Sequence, residues 1–171
     1  MPVIEGRRVR LRAAGEGDRE RMREILAAPE VARWWGDPDG NLDDAVAPEE
    51  GTDSYAIELR DGGETIGVIQ SWEENEPDFR HAGIDLALHP DHQGRGYGPE
   101  AIAALARHLF EARGHHRITI DPAAANGNAI RAYERLGFKP VGVLRSYWRD
   151  PDGVWRDGLL MDLLAGELIG P

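Results

Sequence analysis

Cysteine is absent from the 171 residues. That removes disulfide frameworks, thiolate nucleophiles and cysteine-based zinc sites together. No apolar run reaches the roughly 18 residues of a membrane-spanning helix. The N-terminal Met1-Pro2-Val3-Ile4-Glu5 lacks the charged-then-apolar shape of a secretory signal. A soluble cytoplasmic protein with no membrane partner is therefore expected. Basic charge is scarce in one region. Between Gly36 and Phe79, Arg60 stands alone against fourteen Asp and Glu, whereas the remaining residues hold 19 basic and 17 acidic side chains. The net charge of −11 thus belongs to one stretch. Phosphate binding needs the opposite sign, so nucleic acid is not expected as a partner. The acidity favours a cationic ligand, or it serves only as a solvated face.

No metal is expected. His115-His116 and the pair His89 and His92 have no carboxylate at ligand spacing, and His108 has no partner one turn on. A Gly-x-Ser-x-Gly nucleophile elbow is also missing. The length suits one domain, residues 1–171, with a core of its own and no internal repeat or linker.

Alternation of Val9 and Leu11 predicts a strand from Gly6 to Arg12. Met22, Ile25 and Leu26 recur at helical spacing until Pro29, and residues 29–36 predict a second short helix. Residues 37–53 show no periodicity and predict a loop over a substrate site. Strands follow at 54–59 and 64–72, joined through Asp61-Gly62, then an acidic loop from Glu73 to Asp78. A strand from His81 to Leu88, a helix to about Arg113 and a strand at 117–121 form a parallel crossover. A helix from Asn126 to Leu136, closed by Gly137, precedes two final strands at 139–147 and 154–164. This order predicts an α+β fold with a mixed, mostly antiparallel sheet, one parallel crossover and flanking helices.

The stretch Ile84-Asp85-Leu86-Ala87-Leu88, followed by His89-Pro90-Asp91-His92-Gln93-Gly94-Arg95-Gly96-Tyr97-Gly98, organises the rest. An apolar strand ends in a glycine turn, and a helix begins behind it. Glycines let backbone N–H groups converge, and the helix adds its positive end, which suits a phosphate. Asp85 stands among apolar neighbours, where a carboxylate is costly unless it has a partner or faces a polar cleft.

Gln93-x-x-Gly96-x-Gly98 resembles the acetyl-CoA pyrophosphate loop of the GNAT family of N-acetyltransferases. Asn126-Gly127-Asn128-Ala129-Ile130-Arg131-Ala132-Tyr133-Glu134-Arg135-Leu136-Gly137-Phe138 resembles a second signature of that family. Within it, Trp72-Glu73-Glu74, His81 to Asp85, Thr119 to Pro122 and the Asn126 motif are most similar to aminoglycoside 6′-N-acetyltransferases. Lysine and siderophore acyltransferases share parts of the pattern.

The resemblance implies a GNAT fold and direct acetyl transfer from acetyl-CoA to a primary amine of a small cation, as monomer or homodimer. Gln93, Gly94, Arg95, Gly96, Tyr97 and Gly98 would hold the pyrophosphate. Leu86, Ala87 and Leu88 would line the pantetheine arm. Asn126 would hydrogen-bond that arm or cap its own helix. Tyr133 is the candidate acid for the departing thiolate, or a core tyrosine. Asp85 is the candidate acceptor of the ammonium proton, with His89 as second choice. Asp121 would bind an ammonium or start an Asx turn with Pro122. Glu73 and Glu74 would contact a polycation. Trp34, Trp35 and Trp72 would form walls for sugar rings or belong to the core. Other acceptors (a lysine side chain, a siderophore precursor, a protein N-terminus) and a non-catalytic acyl-CoA sensor remain alternatives.

Overall fold

A computed structural model describes residues 1–170. The chain opens with β1 (Ile4–Glu5) and β2 (Val9–Ala13). The strand expected from Gly6 to Arg12 begins only at Val9, because a tight turn takes up its first residues. Gly6 N–H donates to the Val9 carbonyl at 2.8 Å, and a Cβ on Gly6 would lie 2.9 Å from that oxygen. The helix α4 (Tyr97–Glu111) holds the turn in place. Its buried Glu100 accepts hydrogen bonds from the backbone N–H groups of Arg8 and Val9 and from Arg8 Nε at 2.9 Å. Burial alone would raise the Glu100 pKa; these bonds outweigh it and hold the carboxyl below its ordinary value.

A turn of 3-10 helix leads into α1 (Arg19–Ala27), followed by α2 (Pro29–Trp35) and α3 (Pro38–Val46). α3 replaces the loop expected over residues 37–53. The Asp37 carboxylate accepts from the N–H groups of Asp39 and Gly40, and Pro38 occupies the first helical position. Leu42, Ala45 and Val46 then pack against Met22, Ile25 and Leu26 of α1. Gly40, Asp43 and Asp44 are poor helix formers and hide this pattern in the sequence.

The strands β3 (Thr52–Leu59), β4 (Thr65–Glu74), β5 (His81–Leu88), β6 (Arg117–Ile120), β7 (Lys139–Arg149) and β8 (Trp155–Leu164) join β1 and β2 in one sheet. The strand order is β1-β2-β3-β4-β5-β6-β8-β7, with α5 (Gly127–Arg135) between β6 and β7 in the chain. Only β5 and β6 run parallel, as the crossover predicted. One face of the sheet buries Ile69, Ile84 and Ile118 against Ile102, Leu105 and Leu109 of α4. The other buries Val68 and Ala87 beneath α1, α2 and α3. Glu73 and Glu74, expected in a loop, complete β4 opposite Ala82 and His81. No helix among the described residues is long and apolar enough to cross a membrane.

The short reach of β6 opens the middle of the sheet. It pairs with β5 through Ala82 with Ile118 and Gly83 with Thr119, and through no later residue. β5 continues for five residues beyond Gly83 while β6 stops at Ile120. The two strands therefore part, and β5 keeps one backbone edge free of β6.

Glu100→Ala should leave the N–H groups of Arg8 and Val9 without their acceptor and cost about 2 kcal/mol. Urea unfolding measures it. A loss below about 0.5 kcal/mol would mean the turn does not depend on this carboxylate.

Candidate active site

β5 ends at Leu88 and leads through a short 3-10 turn, Pro90–His92, into the glycines. Gly94 and Gly96 have φ of 72° and 83°, and Gly96 caps α4 in the left-handed conformation. An L-residue there would be strained by roughly 1–2 kcal/mol. Gln93 Nε2 donates to the Leu88 carbonyl at 3.0 Å and folds the turn back onto its strand. Arg8 Nη1 donates to the Arg95 carbonyl at 3.1 Å, with its guanidinium 4.7 Å from the Tyr97 ring centre. Gly98 lies against the strand, where an added Cβ would meet Leu88 Cδ1 at 3.2 Å. The first-turn N–H groups of α4 have no carbonyl in their own helix and point into this turn. The Arg95 side chain is exposed.

The turn opens on a cavity of about 590 Å³ that runs between the free end of β5 and α5. Its walls include Trp34, Trp35, Leu86, Ala87, Leu88, Gly96, Asn126 and Tyr133. Asn126 Oδ1 accepts the Ala129 N–H at 3.3 Å and so caps α5. Leu86 lies on the free stretch of β5. Its carbonyl accepts from Trp35 Nε1 at 3.0 Å, and its N–H donates to Asp85 Oδ1 at 2.9 Å.

Tyr133 lines this cavity, and Asp85, Asp121 and Tyr147 lie close enough to it and to one another to sense each other's charge. Asp85 shares the sheet face of Gly83 and Ala87, beneath the helices α1–α3. Its side chain is open to water, yet protein surrounds the slot it stands in. The slot is poorly hydrated rather than sealed. That dehydration, aided by the charge of Asp121 and opposed by the Leu86 N–H, pushes the Asp85 pKa up to about 7. Tyr133 is half-buried and packs beside Phe138, with ring centres 6.2 Å apart. Burial and the charges of Asp85 and Asp121 raise its pKa well above the ordinary phenol value. The Tyr147 hydroxyl donates to Asp121 Oδ2; that bond, burial and the charges of Asp121 and Asp85 push its pKa up to about 12.

The tryptophans and glutamates divide. Trp35 faces the gap, and Trp34 carries the Arg33 guanidinium 4.4 Å from its ring centre. Trp72 lies flat on Gly83, where a Cβ would come within 2.1 Å of the indole. Alternation along β4 puts Trp72 and Glu74 on the Asp85 face. Glu73 points the other way. It is held by Arg113 and by His115 Nε2 at 2.8 Å, on the face away from Asp85. His89 turns toward Glu24, 3.7 Å away, and accepts the Asp91 N–H.

Two features have no signal in the sequence. One is the place of Tyr147 in this cluster. The other is a second cavity of about 830 Å³ lined by Trp34, Trp148 and Trp155 together with Asp150, Asp152 and Asp157. Both depend on a fold-back of β7 and β8 over the segment after β6, which brings Ala123 opposite Gly158. No local pattern encodes that pairing.

Comparison with known proteins agrees with this geometry. The acetyltransferase (GNAT) domain matches residues 8–139. The aminoglycoside N(6′)-acetyltransferase type 1 of Klebsiella pneumoniae is 32% identical over 164 residues, spanning 85% of this chain and 79% of that protein. The solved structure of AAC(6′)-Ib with paromomycin and acetyl-CoA superposes with a TM-score of 0.75 at 27% identity, covering 93% of this chain and 94% of that one. Spermidine N-acetyltransferase from Vibrio cholerae, solved with CoA and spermine, shares the fold at a TM-score of 0.79 and 22% identity, covering 94% and 97%.

The raised pKa of Asp85 has a consequence for stability. Unfolded, the group ionises near 3.8; folded, near 7. Between those values the folded state holds a proton that the unfolded chain has released, so Asp85 costs stability progressively as pH rises from about 4 to about 7. Asp85→Asn should therefore melt a few degrees above the parent protein at pH 8 and with it at pH 4. The gain stays modest because water reaches the carboxylate. Parallel melting curves across pH would refute the shift.

Proposed function

The chain belongs to the GNAT family of acetyltransferases, and from that premise we propose that it acetylates a primary amine of a small polycation, the 6′-amine of an aminoglycoside before others. The enzyme uses acetyl-CoA, as the family does. We read residues 1–171 as one catalytic domain. The observation that carries the proposal is Tyr133 lining the cavity that runs from the glycine turn along the free end of β5, with Asp85 near enough for its charge to raise the phenol's pKa.

The residues fit the coenzyme. Gly94 and Gly96 adopt the backbone conformation that turns N–H groups outward, at the positive end of a fifteen-residue helix, which suits a pyrophosphate. The free stretch Leu86–Leu88 and Asn126 line a cavity that continues from that turn, which suits an extended arm. Bound there, acetyl-CoA supplies the acyl group as a thioester. Arg95, exposed at the turn, is in place to pair with a phosphate oxygen.

The side chains divide the proton work. Asp85 ionises near neutrality, so it can accept a proton from an ammonium directly or through water and leave the amine free to attack. Tyr133 keeps its proton through the neutral range; its raised pKa makes it a weaker acid than a free phenol, so it serves by hydrogen-bonding the departing sulfur and passing on its proton as the carbon–sulfur bond breaks. Holding both reactants at one gap can contribute ~7–11 kcal/mol by position alone.

The acceptor reading has two supports. One is the 32% identity to the Klebsiella enzyme across most of both chains. The other is the tryptophan-walled cavity, where Asp150, Asp152 and Asp157 stand with Arg33 and Arg156 and which adjoins the coenzyme cavity through Trp34. Aromatic rings suit sugar faces, and carboxylates suit ammonium groups. α3 packs on α1 rather than lying open, which favours a pocket-bound small amine over a peptide in a groove.

Incubation with acetyl-CoA and kanamycin, following thiol release, should show turnover. Silence with every 6′-amino aminoglycoside would reject this acceptor class. Tyr133→Phe should lower kcat by ~10²–10⁴ with acetyl-CoA affinity retained. Undiminished turnover in that variant would assign the acid role elsewhere.

A further inference from the structure

Tyr147 reaches Asp121 only because β7 is distorted. Leu144 stands opposite Gly158 and Trp148 opposite Arg156, so four steps along β7 match two along β8. The excess bulges outward. Ser146 sits in the bulge with φ of 48°, the one non-glycine residue with positive φ among those described. That conformation is unfavourable for a side-chain-bearing residue and persists where its surroundings enforce it. Here Asp157 Oδ1 accepts the Ser146 N–H at 2.8 Å. Opposite lies Gly158, where a Cβ would stand 2.7 Å from Tyr147 Cδ1. Bulge, carboxylate anchor and glycine together lay the Tyr147 ring across β8 and aim its hydroxyl at Asp121. Bulges commonly re-aim a side chain in this way.

Asp121 is fixed from its own side too. The Pro122 carbonyl accepts the Leu159 N–H at 2.8 Å, and the Ala124 N–H donates to the Asp157 carbonyl at 2.9 Å. We propose that Tyr147 is a positioning residue of the acceptor site, whose hydroxyl holds Asp121 as an oriented anion for the substrate's ammonium and leaves Asp85 free to take the proton. The inference rests on the amine-acetylation reading, which gives Asp121 a cation to bind.

Charge and geometry both assign this role. Asp121 faces Asp85 from β5, Tyr133 from α5 and Tyr147 from β7, with Asp157 of β8 turned behind toward the bulge. Two carboxylates at one site repel, and the proton settles on whichever has the weaker support. A phenol donating to Asp121 stabilises the charge there and partly shields it from Asp85. Tyr147 as a residue is 48% exposed, so an acceptor can lie against its ring while the hydroxyl stays committed.

Tyr147→Phe keeps the ring over Gly158 and removes only the donor. Carboxyl resonances of the full chain labelled with ¹³C-aspartate can be titrated in parent and variant without any substrate. Asp85, titrating near pH 7 in the parent, should move up by about half a pH unit or more, because it then faces an unshielded Asp121. Superimposable titrations would overturn the proposal. With an acetylated amine, the variant's KM for that amine should rise about tenfold while the KM for acetyl-CoA stays within about twofold. The acid limb of kcat/KM should move to higher pH. Asp121→Asn and the double variant should share the same KM effect, whereas additive losses would mean that Tyr147 does not act through Asp121. The titration needs no acceptor, so an inert aminoglycoside panel would reject the proposed substrate and leave this inference to be decided by the titration.

Discussion

The structure turns on where one hydrogen-bonded ladder stops. β5 and β6 pair at Ala82 with Ile118 and Gly83 with Thr119 and then part. In an ordinary parallel sheet the backbone of Leu86 would be saturated by a neighbouring strand. Here its carbonyl is met by the Trp35 indole and its N–H by the Asp85 carboxylate, both side chains that a bound molecule can replace or rearrange. The cavity, the glycine turn at the head of α4 and the cap of α5 all border that opening. β8 helps to keep it open. By inserting between β6 and β7, it draws the segment after β6 away from β5.

A site built on this opening carries an electrostatic burden. Asp85 and Asp121 sense each other, and two phenols stand nearby with raised pKa values. A fold selected for stability alone would disperse such groups. Buried carboxylates elsewhere follow the usual rule. Glu58 lies between Arg10 and Arg12, and Glu100 is enclosed by Arg8 and Val9. Asp85 has no such cation, and a perturbed carboxylate in a cleft is a common mark of proton chemistry.

What the sequence made legible was local. The glycine turn, the helix behind it and the Asn126 cap each reside in a few consecutive residues, and each appears where expected. The parallel crossover was equally plain, because a strand, a helix and a strand leave one handed connection. Less legible was whatever depends on register between distant strands. Glu73 and Glu74 look alike in sequence, but strand alternation sends Glu73 to Arg113 and His115 on the opposite face. Tyr147 depends on a slip in register against β8, and α3 is hidden by Gly40 and its aspartates. The family resemblance supplied the fold and the coenzyme; tertiary geometry decided which acidic residues share a face with Asp85.

Trp34 carries a consequence of its own. This indole bounds the cavity that opens from the glycine turn, and the residue also walls the larger cavity beside it. A molecule in either compartment that displaced this partition would change the shape of the other. Whatever factor a molecule in the first compartment imposes on affinity in the second, the second returns to the first, since the cycle of binding steps must close. With Arg33 stacked on that ring, the partition is a charged and polarisable wall, and its setting is a property of both compartments together.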